Sequence, residues 1–413
     1  MEGNEAFPRM VAADIPGKDR MYYLVDAQSN FIAEVKEFLD WKMATKRAPA
    51  TIKAYCLRLS WYYRFLAQKN LDIFQATPTD LTEFVIWLCY PSREAQAIFS
   101  ASKQSPLTAT SVNLILQAVG ALYHFLVRRG RITASPVVYI DVPRGKWLKE
   151  GDLLAHTHRG QAIVQRMELK LKEPVRLLPT VSEADFQLFV NSIHLGEHLD
   201  GDSTGFRDRL LCLMLKEGGF RVSELLGMHL DDLEFGKHGV YVRFRTDNEN
   251  GARAKAGYGR DRFVHLPNDV LGLLDVYLTE VWIEANPATS HLWIVLNKRA
   301  RDQSGQSTYG TALSLAAVES MFKHYSKKSG VILHPHLLRH THASEMVRSY
   351  LAEGQPVDWK FVQERLGHAS VITTMQIYTH LTDEDRRLAY DSYRKRKETS
   401  HARRDIPSEG KED

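Results

Sequence analysis

Five residues in the second half of the chain have side chains that suit chemistry on a phosphodiester. The sequence reads Gly-Gly-Phe-Arg-Val-Ser-Glu around Arg221, His-Leu-Leu-Arg-His from His336 through Arg339, Leu-Gly-His at His368 and Ile-Tyr-Thr-His around Tyr378. Guanidinium groups stay charged at any working pH and form bidentate hydrogen bonds with phosphate oxygens. A phenol, with an unperturbed pKa near ~10, becomes a nucleophile beside positive charge or a base. The set therefore predicts a site that grips a phosphodiester and attacks it with a tyrosine.

Cationic side chains, and not carboxylates, dominate this set. Many phosphoryl-transfer sites neutralise developing charge with magnesium that carboxylates hold. Because arginines can stabilise the same charge, the sequence predicts a reaction that needs neither a metal ion nor a cofactor. The leaving 5′ oxygen needs a proton, which a lysine or a histidine can donate.

Helices and one hairpin must position these side chains. An apolar helix over 207–216 leads into the glycine turn before Arg221. Alternating apolar and polar residues predict a hairpin with arms at 240–245 and 262–266. Further helices are predicted over 270–282, 313–328, 357–366, 373–378 and 383–397, and around His336.

The segment 30–140 has the apolar period of four amphipathic helices. They are predicted near 31–42, from Thr51, from Asp80, and from Thr108 or Thr110. Each basic residue on their polar faces is, taken singly, typical of a solvated surface. As a set they predict contacts with a nucleic-acid backbone, and the residues are Lys46, Arg47, Lys53, Arg58, Arg64, Arg128 and Arg129.

Three further segments complete the predicted domain organisation. Residues 1–29 are expected to be a flexible lead, and residues 141–178 a charged linker in which 159–172 could form a helix. Residues 179–397 are expected to form the catalytic domain, and residues 398–413 a disordered tail.

Length and composition agree with a two-domain protein of the cytoplasm. The chain has 413 residues, of which 44% are hydrophobic, and this is enough for two cores. Its net charge of +4 permits binding to nucleic acid without arguing for it. The three cysteines lie far apart, as is typical of reduced thiols. The N-terminus does not resemble a secretory signal, and no apolar run was expected to span a membrane.

The motifs resemble those of the tyrosine recombinase family, the phage integrases. Gly-Phe-Arg-Val-Ser-Glu-Leu is similar to the first arginine box, His-Leu-Leu-Arg-His to the second, and Leu-Gly-His with Ile-Tyr-Thr-His to the third. The resemblance implies a mainly α protein with a small β-sheet or hairpin. An N-terminal helical bundle of the SAM-like, core-binding kind would precede an α+β catalytic domain.

The resemblance also implies a role for each site residue. Arg221 and Arg339 would clamp the scissile phosphate, His336 would act as a base or phosphate contact, and His368 would bond a phosphate oxygen. Tyr378 would attack and become joined to the 3′ phosphate. Glu224 would support the site from behind by orienting a histidine or an arginine.

The family's general acid is a lysine on the hairpin, and Lys255 is the one lysine in this turn. Arg253 and Arg260 are rivals for phosphate contact, but they are too basic to be good proton donors. The implied partner is double-stranded DNA with specific recombination sites. Four copies would act on two sites, with a dimer or a monomer off DNA and no membrane involved.

Three alternatives to this interpretation stay open. His334, His336, His340 and His342 could ligate zinc, although the intervening Arg339 would repel a metal ion. A type IB topoisomerase uses a similar tyrosine and arginine set but relaxes supercoils as a monomer. A catalytically silent DNA-binding protein could also be built on the same scaffold.

Overall fold

A computed structural model describes most of the chain. The described ranges are 7–13, 21–90, 107–143, 163–174, 179–193, 203–254 and 261–368, with residues 370, 371, 374, 375, 390, 391, 393 and 394. The chain divides into two compact units, Met1–Val175 and Arg176–Asp413. Both are mainly helical with small antiparallel sheets, as the sequence predicts.

Four helices form the framework of the first unit. They are α1 (Ala33–Ala44), α2 (Pro49–Lys69), α3 (Pro78–Cys89) and α4 (Ala109–Arg128). Proline near the N-terminus fixes the first turn of α2 and α3, because its φ angle already suits a helix. The side-chain oxygens of Thr77 and Thr108 cap α3 and α4. The helix predicted from Thr51 thus begins two residues earlier, at Pro49.

The core of the first unit is rich in aromatic rings. Phe38, Tyr62, Phe84 and Tyr123 are buried, and the hydroxyls of Tyr62 and Tyr123 lie 2.6 Å apart. Burial of the two phenols raises the pKa of each above the ordinary value. Helix α4 is long and apolar enough to cross a membrane, so the prediction that no apolar run has this length is wrong for this helix. Most of its residues are instead buried in this core.

The prediction of a flexible lead over residues 1–29 is wrong for the part that the structure describes. Strand β1 (Arg9–Ala13) pairs with β2 (Met21–Val25) in an antiparallel ribbon. Leu24 and Val25 are buried, and Leu24 belongs to the core beneath the helices. A strand of five residues is too short for its alternation of apolar and polar residues to be recognised in the sequence. Packing on the helices provides the stability that an isolated two-stranded ribbon lacks.

The predicted linker over 141–178 is also partly wrong. Strand β3 (Tyr139–Pro143) pairs antiparallel with β4 (Ile163–Met167), so the suggested helix over 159–172 does not form in the described residues 163–174. The Asn113 side chain donates to the Leu171 carbonyl at 3.0 Å and accepts from the Leu171 amide at 2.8 Å. The segment is therefore tied to α4 as part of the first unit.

The second unit surrounds a three-stranded sheet with helices. The sheet order is β5 (Leu233–Glu234), β6 (Gly239–Val242) and β7 (Arg262–His265), so the predicted hairpin is present in β6 and β7. The main helices are α5 (Glu183–Ser192), α6 (Ser203–Gly218), α7 (Val222–Leu226), α8 (Asn268–Val276), α9 (Leu315–Ser329), α10 (Pro335–Ala352) and α11 (Trp359–Leu366). Helix α8 continues through a π-helical turn, Tyr277–Trp282. The expected helix at 383–397 and the tail at 398–413 lie almost wholly outside the described residues.

Candidate active site

A glycine turn between α6 and α7 presents Arg221. Gly219 has φ +61°, and a Cβ there would lie 2.5 Å from Cδ2 of His342. Only glycine satisfies both the backbone angle and this close approach. Arg221 follows as the N-cap residue of α7, and its side chain is 21% exposed. The turn therefore leaves the Arg221 guanidinium partly exposed, while the glycine before it packs tightly against His342.

Glu224, buried one turn into α7, is the centre of the cluster. Its Oε1 accepts from Nη1 of Arg221 at 2.6 Å, and its Oε2 accepts from Nη2 of Arg262 at 2.7 Å. Oε2 also accepts from the Arg221 amide at 2.9 Å and lies 3.8 Å from Nη1 of Arg339. Burial opposes ionisation, but Arg262, Arg221 and Arg339 outweigh it and lower the pKa of the carboxyl to about 2.

This depressed pKa predicts a loss of stability in acid. An unfolded glutamate titrates near 4.5, so ionised Glu224 contributes roughly 3 kcal/mol that is fully present above this pH. The contribution is lost as the pH falls from about 4.5 through about 2. Guanidinium unfolding at several pH values should show a steeper loss in the wild type than in Glu224→Gln. Parallel loss in the two proteins would contradict the assigned charge.

Arg339 reaches the same cluster from the first turns of α10. Its side chain is 1% exposed. Nη1 donates to the Gly219 carbonyl at 2.7 Å, and Nη2 donates to the Leu366 carbonyl. A buried guanidinium requires such acceptors because its desolvation is costly. A phosphate that binds to Arg339 must therefore replace carbonyl contacts at a side chain that is 1% exposed, whereas the Arg221 side chain is 21% exposed.

The C-terminal end of α11 faces the arginines with consecutive carbonyl groups. Arg365 accepts from Nε of Arg262 at 3.2 Å, and Leu366 accepts from Arg339 and, at 3.4 Å, from Arg221. Gly367 accepts from Nη1 and Nη2 of Arg221 at 3.3 Å each. These carbonyls have no intrahelical donors and carry the negative end of the helix dipole. Arginines from three different elements therefore converge on one helix end.

Three histidines lie beside this cluster. His336 is exposed, and its ring centroid lies 4.2 Å from that of buried His340. His368 follows α11, and its Nδ1 lies 2.9 Å from the hydroxyl oxygen of buried Thr374. Burial, then the positive charges of Arg339 and Arg221, lower the pKa of His368 to about 4. Burial and His336 lower the pKa of His340 to about 4. Both rings are therefore neutral at pH 7.

The predicted acid and nucleophile, Lys255 and Tyr378, lie outside the described residues. The chain that leads to Lys255 is well anchored. Nδ2 of Asn250 donates to the carbonyls of Leu226 and Leu313, at 2.9 Å each. Ala254, directly before Lys255, is buried in the core. Asn250 therefore ties this part of the chain to Leu226 at the end of α7, and the description ends at Ala254, one residue before the predicted acid.

The predicted DNA contacts on α2 do not all lie on one side of that helix. Lys53 is exposed, with its Nζ 5.5 Å from the Tyr22 ring centroid, and Nε of half-buried Arg64 donates to the Pro8 carbonyl at 3.2 Å. Arg58 is about 140° around the helix from Lys53.

The other predicted contacts lie at helix ends. Lys46 and Arg47 are exposed directly after α1. Arg128 and Arg129 are exposed at the end of α4. Nε of Arg129 lies 3.8 Å from Oε1 of Glu37, a surface pair of small energetic weight.

Sequence reasoning missed Arg262 as part of this cluster. It was treated only as the first residue of a hairpin arm. A signal was available in the sequence. Alternation along the strand places Arg262 on the covered face of the sheet, where a charge without a partner is costly, so a buried partner for this arginine could have been expected. Its side chain is 10% exposed and bonds both Glu224 oxygens.

The zinc alternative finds no support in the described ranges, where no group of three or more His, Cys, Asp or Glu side chains could hold a metal ion. Nδ1 of His334 accepts from the Leu337 amide at 3.1 Å, so that ring caps α10. Nε2 of His342 lies 3.4 Å from Nε of Arg365, which donates to it. Burial and Arg365 lower the pKa of His342 to about 3.

Known proteins resemble the chain in both units. Residues 191–385 match the phage integrase family, and residues 35–130 match the phage integrase N-terminal SAM-like domain. Transposase A from transposon Tn554 of Staphylococcus aureus is 29% identical over 378 residues, covering 92% of this chain and 95% of that protein. Tyrosine recombinase XerC of Xanthomonas axonopodis pv. citri is 26% identical over 368 residues, covering 87% and 96%.

Solved structures show the same fold. The Tn1549 transposon integrase in complex with a circular intermediate DNA has a TM-score of 0.54 at 16% identity, covering 87% of this chain and 98% of that one. The XerH recombinase bound to a palindromic difH substrate has a TM-score of 0.51 at 17% identity, covering 86% and 82%. With both domain types matched in order, the chain belongs to the tyrosine recombinase family and is a site-specific DNA recombinase.

Proposed function

We propose that this recombinase moves or resolves a mobile element by cleaving and rejoining DNA through a 3′-phosphotyrosyl intermediate. The observation that carries the proposal is the charge of the buried cluster. Three arginines surround a single carboxylate, Glu224. The surplus of positive charge in a partly dry site suits an anion such as a phosphodiester. Similarity to a Tn554 transposase and a Tn1549 integrase supports a mobile element as the substrate.

The reaction has two transesterification steps. Tyr378 gives its phenolic proton to His336, which acts as the base, and its oxygen attacks the scissile phosphorus. The bond from phosphorus to the 5′ oxygen breaks while Lys255 gives that oxygen a proton. Arg221 and Arg339 stabilise the charge on the non-bridging oxygens, with His336 and His368 as further phosphate contacts. The 5′ hydroxyl of a partner duplex then gives its proton to Lys255 and attacks the phosphotyrosine, and His336 returns a proton to the leaving Tyr378 oxygen. Each step conserves one phosphodiester bond, so the reaction requires no ATP, and the arginines supply the positive charge that a metal ion supplies in other phosphoryl-transfer sites.

The protein assembly is also part of the proposal. Two units bind the duplex, and the first unit contacts phosphate through Lys46, Arg47, Lys53, Arg58, Arg64, Arg128 and Arg129. Four copies act on two sites, and the protein is a dimer or a monomer off DNA. The DNA complexes among the structural relatives support a DNA partner, and a DNA substrate is consistent with a protein of the cytoplasm.

Substituting Lys255 with alanine is expected to slow strand cleavage because the 5′ oxygen then leaves without a proton. General acids contribute about 10²- to 10⁴-fold. A substrate with sulfur in place of the 5′ bridging oxygen needs no proton and should restore the rate. Single-turnover cleavage of matched oxygen and sulfur substrates measures both effects. An equal defect on the two substrates would remove Lys255 from the acid role.

A suicide-substrate assay tests the proposed function as a whole. Nicked duplexes from DNA flanking the gene are incubated with the protein in EDTA and separated on a denaturing gel. A covalent adduct that maps to Tyr378 is the expected result. On a supercoiled plasmid that carries the same DNA, relaxed circles without recombinants would instead favour topoisomerase activity. Tight and specific binding without any adduct would favour a silent DNA-binding protein.

A further inference from the structure

Arg262 bonds protein acceptors through all three nitrogens of its guanidinium. Its two terminal nitrogens bond Glu224, Nη2 to Oε2 at 2.7 Å and Nη1 to Oε1 at 3.3 Å. Its Nε donates to the Arg365 carbonyl at 3.2 Å. Each nitrogen of the guanidinium therefore has an acceptor inside the protein, which leaves Arg262 poorly placed to bind substrate phosphate itself.

Arg221 is held differently. One nitrogen, Nη1, makes the short bond of 2.6 Å to Glu224, whereas the bonds of Arg221 to Gly367 are 3.3 Å long. The carboxylate of Glu224 and a phosphate are rival anions for this guanidinium. The guanidinium of Arg262 bonds both oxygens of Glu224, whereas that of Arg221 bonds Oε1 alone, so Arg262 keeps Oε2 from the rest of the Arg221 guanidinium.

We propose that Arg262 is a positioning residue that occupies Glu224 and so leaves Arg221 available to the scissile phosphate. Without Arg262, one strong partner of the Glu224 carboxylate is lost while its charge stays buried. Arg221 then turns its fork onto Glu224 and away from the substrate. The inference rests on the proposed phosphate-binding role of Arg221.

The packing around Gly367 adds a second, independent constraint on Arg262. Gly367 has φ +62°, and a Cβ there would lie 2.7 Å from Nη1 of Arg262. The guanidinium thus packs closely against Gly367, the residue whose carbonyl accepts from Arg221. Arg262 therefore fixes both the carboxylate and the carbonyl that contact Arg221.

The test compares Arg262→Gln with the wild type on two scissile linkages in full-length protein. One is the ordinary phosphodiester and the other a methylphosphonate, which has no charge for Arg221 to neutralise. We expect Arg262→Gln to slow single-turnover cleavage of the phosphodiester about 10- to 100-fold, as for other residues that orient a substrate-binding group. Relative to the wild type, it should slow the methylphosphonate reaction much less.

Arg243→Gln is the matched control. Arg243, just beyond β6 in the same sheet, donates to buried Asp232 at 3.0 Å, and Arg245 contacts the same carboxylate at 2.7 Å. This variant should show no difference between the two linkages. Glu224→Gln added to Arg262→Gln removes the competing anion and should recover part of the phosphodiester rate.

The inference would be overturned if Arg262→Gln reduced the cleavage rate equally on both linkages, or did not reduce it at all. Circular dichroism and thermal unfolding of each variant identify a folding defect, which would slow both reactions equally. A wild type that forms no adduct on any linkage would instead refute the proposed function, so the two failures are distinguishable.

Discussion

Tyr378→Phe should abolish covalent protein–DNA adducts and leave DNA binding intact. The substitution removes one oxygen, and this oxygen is the proposed nucleophile, so no phosphotyrosine can form. The aromatic ring and the positive cluster remain, and these should retain affinity for the duplex. Denaturing gels of suicide substrates measure the adduct, and mobility shifts at fixed salt concentration measure binding.

Tyr350→Phe is the matched control for the nucleophile. Tyr350 lies near the end of α10, many residues from the Arg339 turn, and should leave adduct formation unchanged. Adducts that persist in Tyr378→Phe would move the nucleophile elsewhere. Peptide mapping of the adduct, with Tyr350 and Tyr390 as the next candidates, would identify it.

Arg221→Ala should reduce the rate of cleavage about 10²- to 10³-fold, which is the usual cost of removing a donor that stabilises developing charge. The loss of stability should be modest by comparison. Glu224 keeps its bidentate partner Arg262, so the carboxylate does not become an isolated buried charge. Single-turnover cleavage at saturating protein and thermal unfolding measure the two effects separately.

Arg339→Ala provides the contrast. Its side chain is buried, and its loss removes the donor to the Gly219 carbonyl and leaves the Leu366 carbonyl with the longer bond of 3.4 Å from Arg221. Unfolding should occur at a lower temperature than in Arg221→Ala, because buried polar groups without partners cost free energy. If Arg221→Ala unfolded as early as Arg339→Ala, the rate loss could not be assigned to phosphate binding.

The sequence predicted local structure well wherever a long apolar period or a cap was present. The four helices of the first unit and the β6–β7 hairpin follow their patterns closely. The ribbons β1–β2 and β3–β4 were missed because five residues carry little periodic signal. Their stability comes from side chains such as Leu24 and Met167, which pack on helices that are distant in sequence.

The site was predictable as residue types but not as a network. Arg221 and Glu224 are three positions apart, so their contact could be inferred from helical spacing. Arg262 reaches the same carboxylate from a strand 38 positions away, and no spacing rule indicates such a contact. Nor does sequence reveal that Arg339 is bonded to carbonyls at both terminal nitrogens. Contacts of this kind depend on tertiary packing.

The close approach of Gly367 to Arg262 also limits how hybrid enzymes can be assembled from two members of this enzyme class. The glycine belongs to the C-terminal part of the unit, and the arginine belongs to its sheet. A hybrid enzyme that joined one parent's sheet to another's terminal helices would inherit the two residues from different sources. Such a hybrid should be active only if one parent contributes an arginine at position 262 and the other a glycine at position 367. The junctions that keep both residues from the same parent lie before β7 or after Gly367.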